Sequence, residues 1–128
     1  GTYTFNQIIE IPSNITIDGG YTISGSDWVK TSNSATIINM PSVPELNPTT
    51  NVQHRIGMRA TNVTGFTLQD LTITVGGVTG TVNNYGKSVY ALYLSGCSSY
   101  NIIRCNITSG AASAGTSGTT GTTGTTCT

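Results

Sequence analysis

Two stretches decide the fold because they repeat each other: IGMRATNVTGFTLQDLTIT at residues 56–74 and YALYLSGCSSYNIIRCNIT at residues 90–108. The second begins 34 residues after the first, and the two align without a gap. A period of that size marks repeat architectures, in which one unit buries its apolar face only when a neighbour stacks on it. Apolar positions coincide: Met58 with Leu92, Ala60 with Leu94, Val63 with Cys97, Phe66 with Tyr100, Leu68 with Ile102, Leu71 with Cys105 and Ile73 with Ile107. Within each segment they alternate in short bursts, the period-two signature of strands. Small and polar residues separate the bursts. Asn62 aligns with Gly96, and these residue types most readily take positive φ, so a left-handed corner is predicted there. Asp70 aligns with Arg104, an ion pair between successive turns. Ile103 opposite Gln69 is a mismatch on the predicted outer face.

Three short strands joined by sharp corners, then the same again, describe coils of a parallel β-solenoid. Successive coils stack about 4.8 Å apart, so aligned side chains sit on one another. The predicted interior stack is Met58, Phe66, Leu68, Leu71, Ile73, Leu92, Tyr100, Ile102 and Ile107. An earlier coil is read over 8–40, from IIEIPSNITIDGGYTIS at 8–24 and ATIINM at 35–40. Loops are expected at 25–34, at 41–54, which holds three prolines, and at 75–89, rich in Gly and Asn. The whole is an all-β module over 1–110, a right-handed parallel β-helix of about three coils, followed by a Gly/Thr tail over 111–128.

Composition bounds the chemistry. Only 8% of the 128 residues are charged and the formal net charge is zero, so the basic surplus that nucleic acid or an anionic membrane requires is absent. No apolar run is long enough to span a membrane. The chain opens on Gly1 with no initiator Met, which predicts a processed product or a fragment. A charge-poor surface rich in Thr, Ser, Asn and Gly, with acceptor triplets at Asn14-Ile-Thr16, Asn62-Val-Thr64 and Asn106-Ile-Thr108, points to an extracellular or cell-surface protein.

The stretches NITIDGGYTISGSDW, TIINM, GFTLQDLTIT and SVYALYLSGCSSYNIIRCNITSG resemble bacterial extracellular right-handed parallel β-helix proteins of the surface or adhesin-like type. The resemblance covers about residues 8–110. It implies the fold and a surface location. Family members with polysaccharide-lyase activity use clustered acidic residues and a basic proton acceptor, and that set has no match among these residues.

No catalytic constellation emerges. The carboxylates are Glu10, Asp18, Asp27, Glu45 and Asp70, and no two fall on one face of adjacent coils as paired-carboxylate glycoside chemistry requires. Asp18, before Gly19-Gly20, reads as a turn residue and not as a calcium ligand. His54 is the only histidine and has no Cys or acid at triad spacing. Neither a metal nor a cofactor is expected. Cys97 and Cys105 align with interior positions and read as buried small hydrophobes or as one disulfide across a coil. Cys127, the third cysteine, is left for an intermolecular bridge. Trp28, Tyr21 and Tyr85 fall in loops, and exposed Trp28 and Tyr85 are candidate glycan contacts.

The tail, GTSGTTGTTGTTCT at 115–128, carries glycine at Gly115, Gly118, Gly121 and Gly124. A period of three suits a collagen-like triple helix or a sheet-like packing of threefold helices, with glycine where backbones touch; a flexible linker is the plain alternative. Three coils form a short column with unpaired backbone at its ends, a template for strand addition. Tyr3 and Phe5 are expected to close the N-terminal end, whereas Ile107 runs into a sequence with no apolar cap. The expectation is a non-enzymatic structural module whose partners are copies of itself, the subunit of a fibre or surface appendage. An adhesin fragment binding glycans is the alternative, and a polysaccharide-active enzyme is third.

Overall fold

The 34-residue offset is a physical register. In the computed structural model, which describes residues 1–32, 35–121 and 124, Met58 pairs with Leu92, Thr67 with Asn101 and Thr72 with Asn106, each 34 residues apart. The described residues form thirteen strands and no helix. The first are β1 (Thr2–Thr4), β2 (Ile9–Glu10), β3 (Thr16–Asp18), β4 (Tyr21–Ser24), β5 (Asp27–Lys30) and β6 (Thr36–Met40). Then come β7 (Glu45–Thr49), β8 (Val52–Thr61), β9 (Thr67–Gln69) and β10 (Leu71–Val75), and finally β11 (Ser88–Ser95), β12 (Asn101–Ile103) and β13 (Asn106–Ser109).

The strands stack in parallel as a β-solenoid of about three turns. One face is the sheet β1-β6-β10-β13, the second is β2-β8-β11 and the third is β3-β9-β12. The coils are therefore β2-β3-β6, β8-β9-β10 and β11-β12-β13. The first corner is made by Asn14, Asn62 and Gly96, whose φ values of 59°, 53° and 64° place all three in the left-handed region. Asn and Gly adopt it at low cost, which is why they share this column.

The core is a ladder of aliphatic side chains centred on the middle coil. Met58, Ala60, Phe66, Leu68 and Ile73 have no exposed surface, and Leu71 is buried with them. Met40 and Val43 close the first coil from beside it, equally buried. No polar or charged residue among the described ones is buried. Polar side chains occupy the outer positions instead, as on the one-sided strands of a solenoid.

The three expected loops carry more order than their composition suggests. Residues 25–34 are not simply a loop: β4 and β5 form an antiparallel hairpin, with Ser24 paired to Asp27 across the two-residue turn Gly25-Ser26. Nor is 41–54 a loop throughout, because β7 pairs antiparallel with β8 through Glu45 with Arg55 and Leu46 with His54. Pro48 is accommodated because the register slips between Leu46 and Thr49, on a strand with an open edge. The 75–89 stretch begins and ends in strand, with Val75 in β10 and Ser88 and Val89 in β11.

Successive coils also stack beside the sheets. The Gly76 amide donates to the Met40 carbonyl at 3.0 Å, and the Gly110 amide to the Val75 carbonyl at 2.7 Å. A Cβ on Gly76 would overlap the carbonyl oxygen of Pro41, and one on Gly110 would overlap the amide nitrogen of Gly77. Backbone thus approaches backbone where any other residue would force the coils apart.

Candidate functional site

The third coil is the outermost member of all three faces: β13, β11 and β12 each end their sheet. Its inward side chains continue the columns of the coil below. Ile102 lies over Leu68 and Ile107 over Ile73. The lower member of each pair is 0% exposed, whereas Ile102 is 38% and Ile107 36% exposed. Tyr100 stacks on Phe66, with centroids 5.2 Å apart and planes 8° from parallel, and its outer face is open. Leu92 is only partly buried. Of the predicted interior stack, Met58, Phe66, Leu68, Leu71 and Ile73 are thus enclosed, while Tyr100, Ile102 and Ile107 keep interior register and stay uncovered.

The opposite end is built differently. There β1 adds a fourth strand to one face by pairing with β6, and the Phe5 amide extends that pairing to the Asn39 carbonyl at 2.9 Å. Residues 6–8 then cross to β2. Tyr3 and Phe5 do not seal this end as expected: both stay exposed. They line an open hollow of about 470 Å³ with Tyr21 and Trp28 from the hairpin and Ile17, Ile38 and Leu71 beneath.

Charge is concentrated at the corner between β9 and β10. The Asp70 carboxylate accepts from the Arg104 guanidinium at 2.5 Å and 2.9 Å, which makes the aligned pair a contact between adjacent coils. Lys30 from the hairpin lies 2.6 Å from Asp70 and also pairs with Asp18. Tyr21 donates to Asp18 at 2.9 Å. Arg104 first, then Lys30, hold the Asp70 carboxyl well below the usual carboxylate range, and Lys30 lowers Asp18. Asp18 is thus more than a turn residue, because it locks the hairpin against the solenoid.

A second cluster clamps the insertions. Arg55 donates through Nη1 to the carbonyls of Gly77 at 2.6 Å and Pro41 at 3.3 Å. Glu45 lies 3.6 Å from its Nη2 and accepts from Lys87 Nζ at 2.9 Å. These side chains are half-buried and tie the 41–54 and 75–89 insertions to β8. His54 sits apart, edge-on to Tyr90 with centroids 5.8 Å apart, and burial holds its imidazole below the usual histidine range. Among the described residues no three His, Cys, Asp or Glu side chains gather as a metal site would need.

The disulfide across a coil is not formed. Cys97 and Cys105 are free thiols; Cys97 Sγ lies 3.3 Å from the Ala60 carbonyl and Cys105 Sγ 3.4 Å from that of Ile103. Each follows its own column, and columns separated by a strand and a corner do not converge. Cys127 lies outside the described residues. Trp28 and Tyr85 are both exposed, but only Trp28 lines the hollow; Tyr85 belongs to a short turn bridged to Val82.

The start of the tail is held by its own chain. Ala111 accepts from the Val78 amide at 2.9 Å, Ser113 donates to the Lys87 carbonyl at 3.0 Å and Thr116 to that of Asn84 at 3.0 Å. Gly115 is tightly placed, since a Cβ there would lie 2.8 Å from the Asn84 carbonyl oxygen. At Gly118, Gly121 and Gly124 no described residue comes within 4 Å of that position.

Sequence reasoning missed the hairpin, the β7 edge strand, the Arg55 clamp and the hollow. The hairpin had a signal: Gly25-Ser26 between alternating Tyr21-Thr22-Ile23 and Trp28-Val29 is a two-residue turn pattern. The clamp had none, because Glu45, Arg55 and Lys87 are far apart in the chain.

Compared with protein-family models, curated proteins and solved structures, the chain matches none.

Proposed function

We propose that this chain is a non-enzymatic, extracellular structural module that associates with copies of itself as the subunit of a fibre or surface appendage. The observation that carries this reading is the bare third coil, where Ile102, Ile107 and Tyr100 hold interior register and stay exposed, with no further coil above them among the described residues. Contiguous exposed apolar surface of this kind marks an interaction site. The sheet edges beside it add unpaired backbone donors and acceptors.

Geometry favours a head-to-tail contact. The sheet β1-β6-β10-β13 is parallel throughout, and its two edges, β1 and β13, lie at opposite ends of the column. A neighbour that sets its β1 beside β13 continues the parallel order. Such a contact is heterologous and leaves the next copy's edge open, so it propagates into a filament. On the other two faces the column begins one rung above β1, which leaves a slot about one strand high. The tail, with no side chain larger than threonine over 115–126, is of suitable size to enter it.

Sedimentation velocity across a concentration series, with negative-stain microscopy of the same samples, tests the reading. Growth of species with concentration and filaments of uniform width are expected. A monodisperse monomer at the highest soluble concentration overturns it.

A further inference from the structure

We infer that the hollow between β1 and the β4-β5 hairpin is a binding site for a neutral hexopyranose, taken as a terminal unit or short segment of a glycan. Four of the chain's nine aromatic residues line it: Tyr3, Phe5, Tyr21 and Trp28. They come from two separate parts of the chain, and the fold assembles them at one end. Trp28 is 65% exposed, and Tyr3 and Phe5 are also exposed. An exposed cluster of rings over an aliphatic floor is unusual on a monomer surface and marks a place where something binds.

Three features choose the ligand. At about 470 Å³ the hollow has the size of a small-molecule site and not of a protein interface. Its walls combine ring faces with hydrogen-bonding groups, the Asp18 carboxylate and the Thr36 hydroxyl. A pyranose matches that mixture, because its C–H-rich face packs on an aromatic ring while its hydroxyl rim reaches polar groups. The third feature is charge. Rings beside a carboxylate also suit a quaternary ammonium, but Lys30 already fills that role: its Nζ pairs with Asp18 and lies 5.4 Å from the Tyr21 ring centroid. A cationic ligand would meet this ammonium, whereas a neutral one does not. Asp18 Oδ1 already accepts from Lys30 and Gln69 and its Oδ2 accepts from Tyr21, so what the carboxylate offers a sugar hydroxyl is the remaining acceptor position on Oδ2.

The hollow adjoins β1, the strand used in the proposed contact between copies, so the inference is tested where association is absent. Trp28 is the only tryptophan, so fluorescence excited at the red edge, where tyrosine does not absorb, reports on this hollow. The full chain, at a concentration that sedimentation shows to be monomeric, is titrated to about 10 mM with hexasaccharides of glucose, mannose, galactose and N-acetylglucosamine, a range that captures weak sites of millimolar Kd. Choline chloride is titrated in parallel. Saturable change with at least one saccharide is expected, and Tyr3→Ala, which keeps the reporter, weakens it about threefold to tenfold. Trp28→Ala, read by retardation in polysaccharide-containing gels, loses it, while Tyr85→Ala does not. Circular dichroism melts of both hollow variants show that the solenoid is intact. No saturable response to any saccharide, or tighter saturation by choline, overturns the proposal. So does a response that Tyr3→Ala leaves unchanged.

Discussion

Tyr100 lies flat on Phe66, 34 residues earlier, with ring centroids 5.2 Å apart and planes 8° from parallel. Phe66 is wholly buried and Tyr100 is exposed, although the two hold the same place in successive coils. Position within a coil therefore decides which way a side chain points, and position within the column decides whether it is covered. The end coil exposes residues whose sequence environment is that of a core.

Ile73 and Ile107 turn this into a measurement, being the same residue type one rung apart. Ile73→Ala removes a fully enclosed side chain and is expected to cost about 2–5 kcal/mol in denaturant unfolding. Ile107→Ala, with 36% of the residue exposed, should cost clearly less in dilute monomer. At concentrations where the chain associates, Ile107→Asp should abolish association and leave the monomer folded. Equal costs for the two alanine variants in dilute solution would show that the third coil is covered.

The backbone contact at Gly76 and Gly110 predicts a sharp contrast among glycines. Gly76→Ala and Gly110→Ala each place a methyl group inside the neighbouring coil's backbone. Each is expected to lower stability by about 1–3 kcal/mol, the usual range for overpacking. Gly118→Ala meets no described residue within 4 Å and should be close to neutral. Thermal melts of the three variants in the dilute monomer check this.

The solenoid was legible because repetition is a sequence property. Coil spacing, strand bursts and the Asn62–Gly96 corner all follow from aligning 56–74 with 90–108, and the Asp70–Arg104 pair follows from the same alignment. The first coil was only partly legible, since its own register to the next coil is uneven: Ile9 pairs with Met58 and Thr36 with Leu71. The hairpin inserted between Gly20 and Thr36 breaks the count. What could not be read were contacts that depend on where insertions fold back, such as Arg55 on Gly77 and Trp28 beside Tyr3. No period links those residues. The free state of Cys97 and Cys105 was likewise invisible, because shared interior character says nothing of the distance between two columns.

Those thiols give a redox prediction. With Cys127→Ser removing the third cysteine, reductant should leave the melting temperature unchanged, and two thiols per chain should react after unfolding. A reductant-sensitive melt of that variant would mean that Cys97 and Cys105 are bridged.

Acid should loosen the hairpin before the coils. Asp70 and Asp18 have folded-state values depressed below the ordinary 3.8, through Arg104 and Lys30 respectively. A depressed carboxylate contributes stability that is fully present above its unfolded value and is lost as pH falls through the folded one. Stability should therefore be level from neutral pH down to about 5 as far as these two groups are concerned, then decline below about 4 as the unfolded chain takes up protons that the folded chain resists. Asp70→Asn should flatten that decline, and Lys30→Met should flatten part of it through both carboxylates. Because Lys30 and Asp18 join the hairpin to the solenoid, proteolysis near Gly25 should rise in Lys30→Met while the coils stay resistant. An unchanged acid limb in Asp70→Asn would remove this network from the account of stability.

The tail separates fold from assembly. Gly115→Val should disturb the monomer, because its Cβ would press on the Asn84 carbonyl. A Cβ at Gly118 or Gly121 has no described neighbour within 4 Å, so the dilute monomer of Gly118→Val or Gly121→Val should melt as the parent does. If the tail enters the slot between stacked copies, where backbones must approach closely, a branched side chain at either position blocks entry. The filament should then fail to form or dissociate at lower dilution. Sedimentation and negative-stain microscopy of the two variants decide the matter: intact filaments from both would assign assembly to the exposed coil alone, and loss of filaments with an unaltered melt would place the glycine period at the contact between copies.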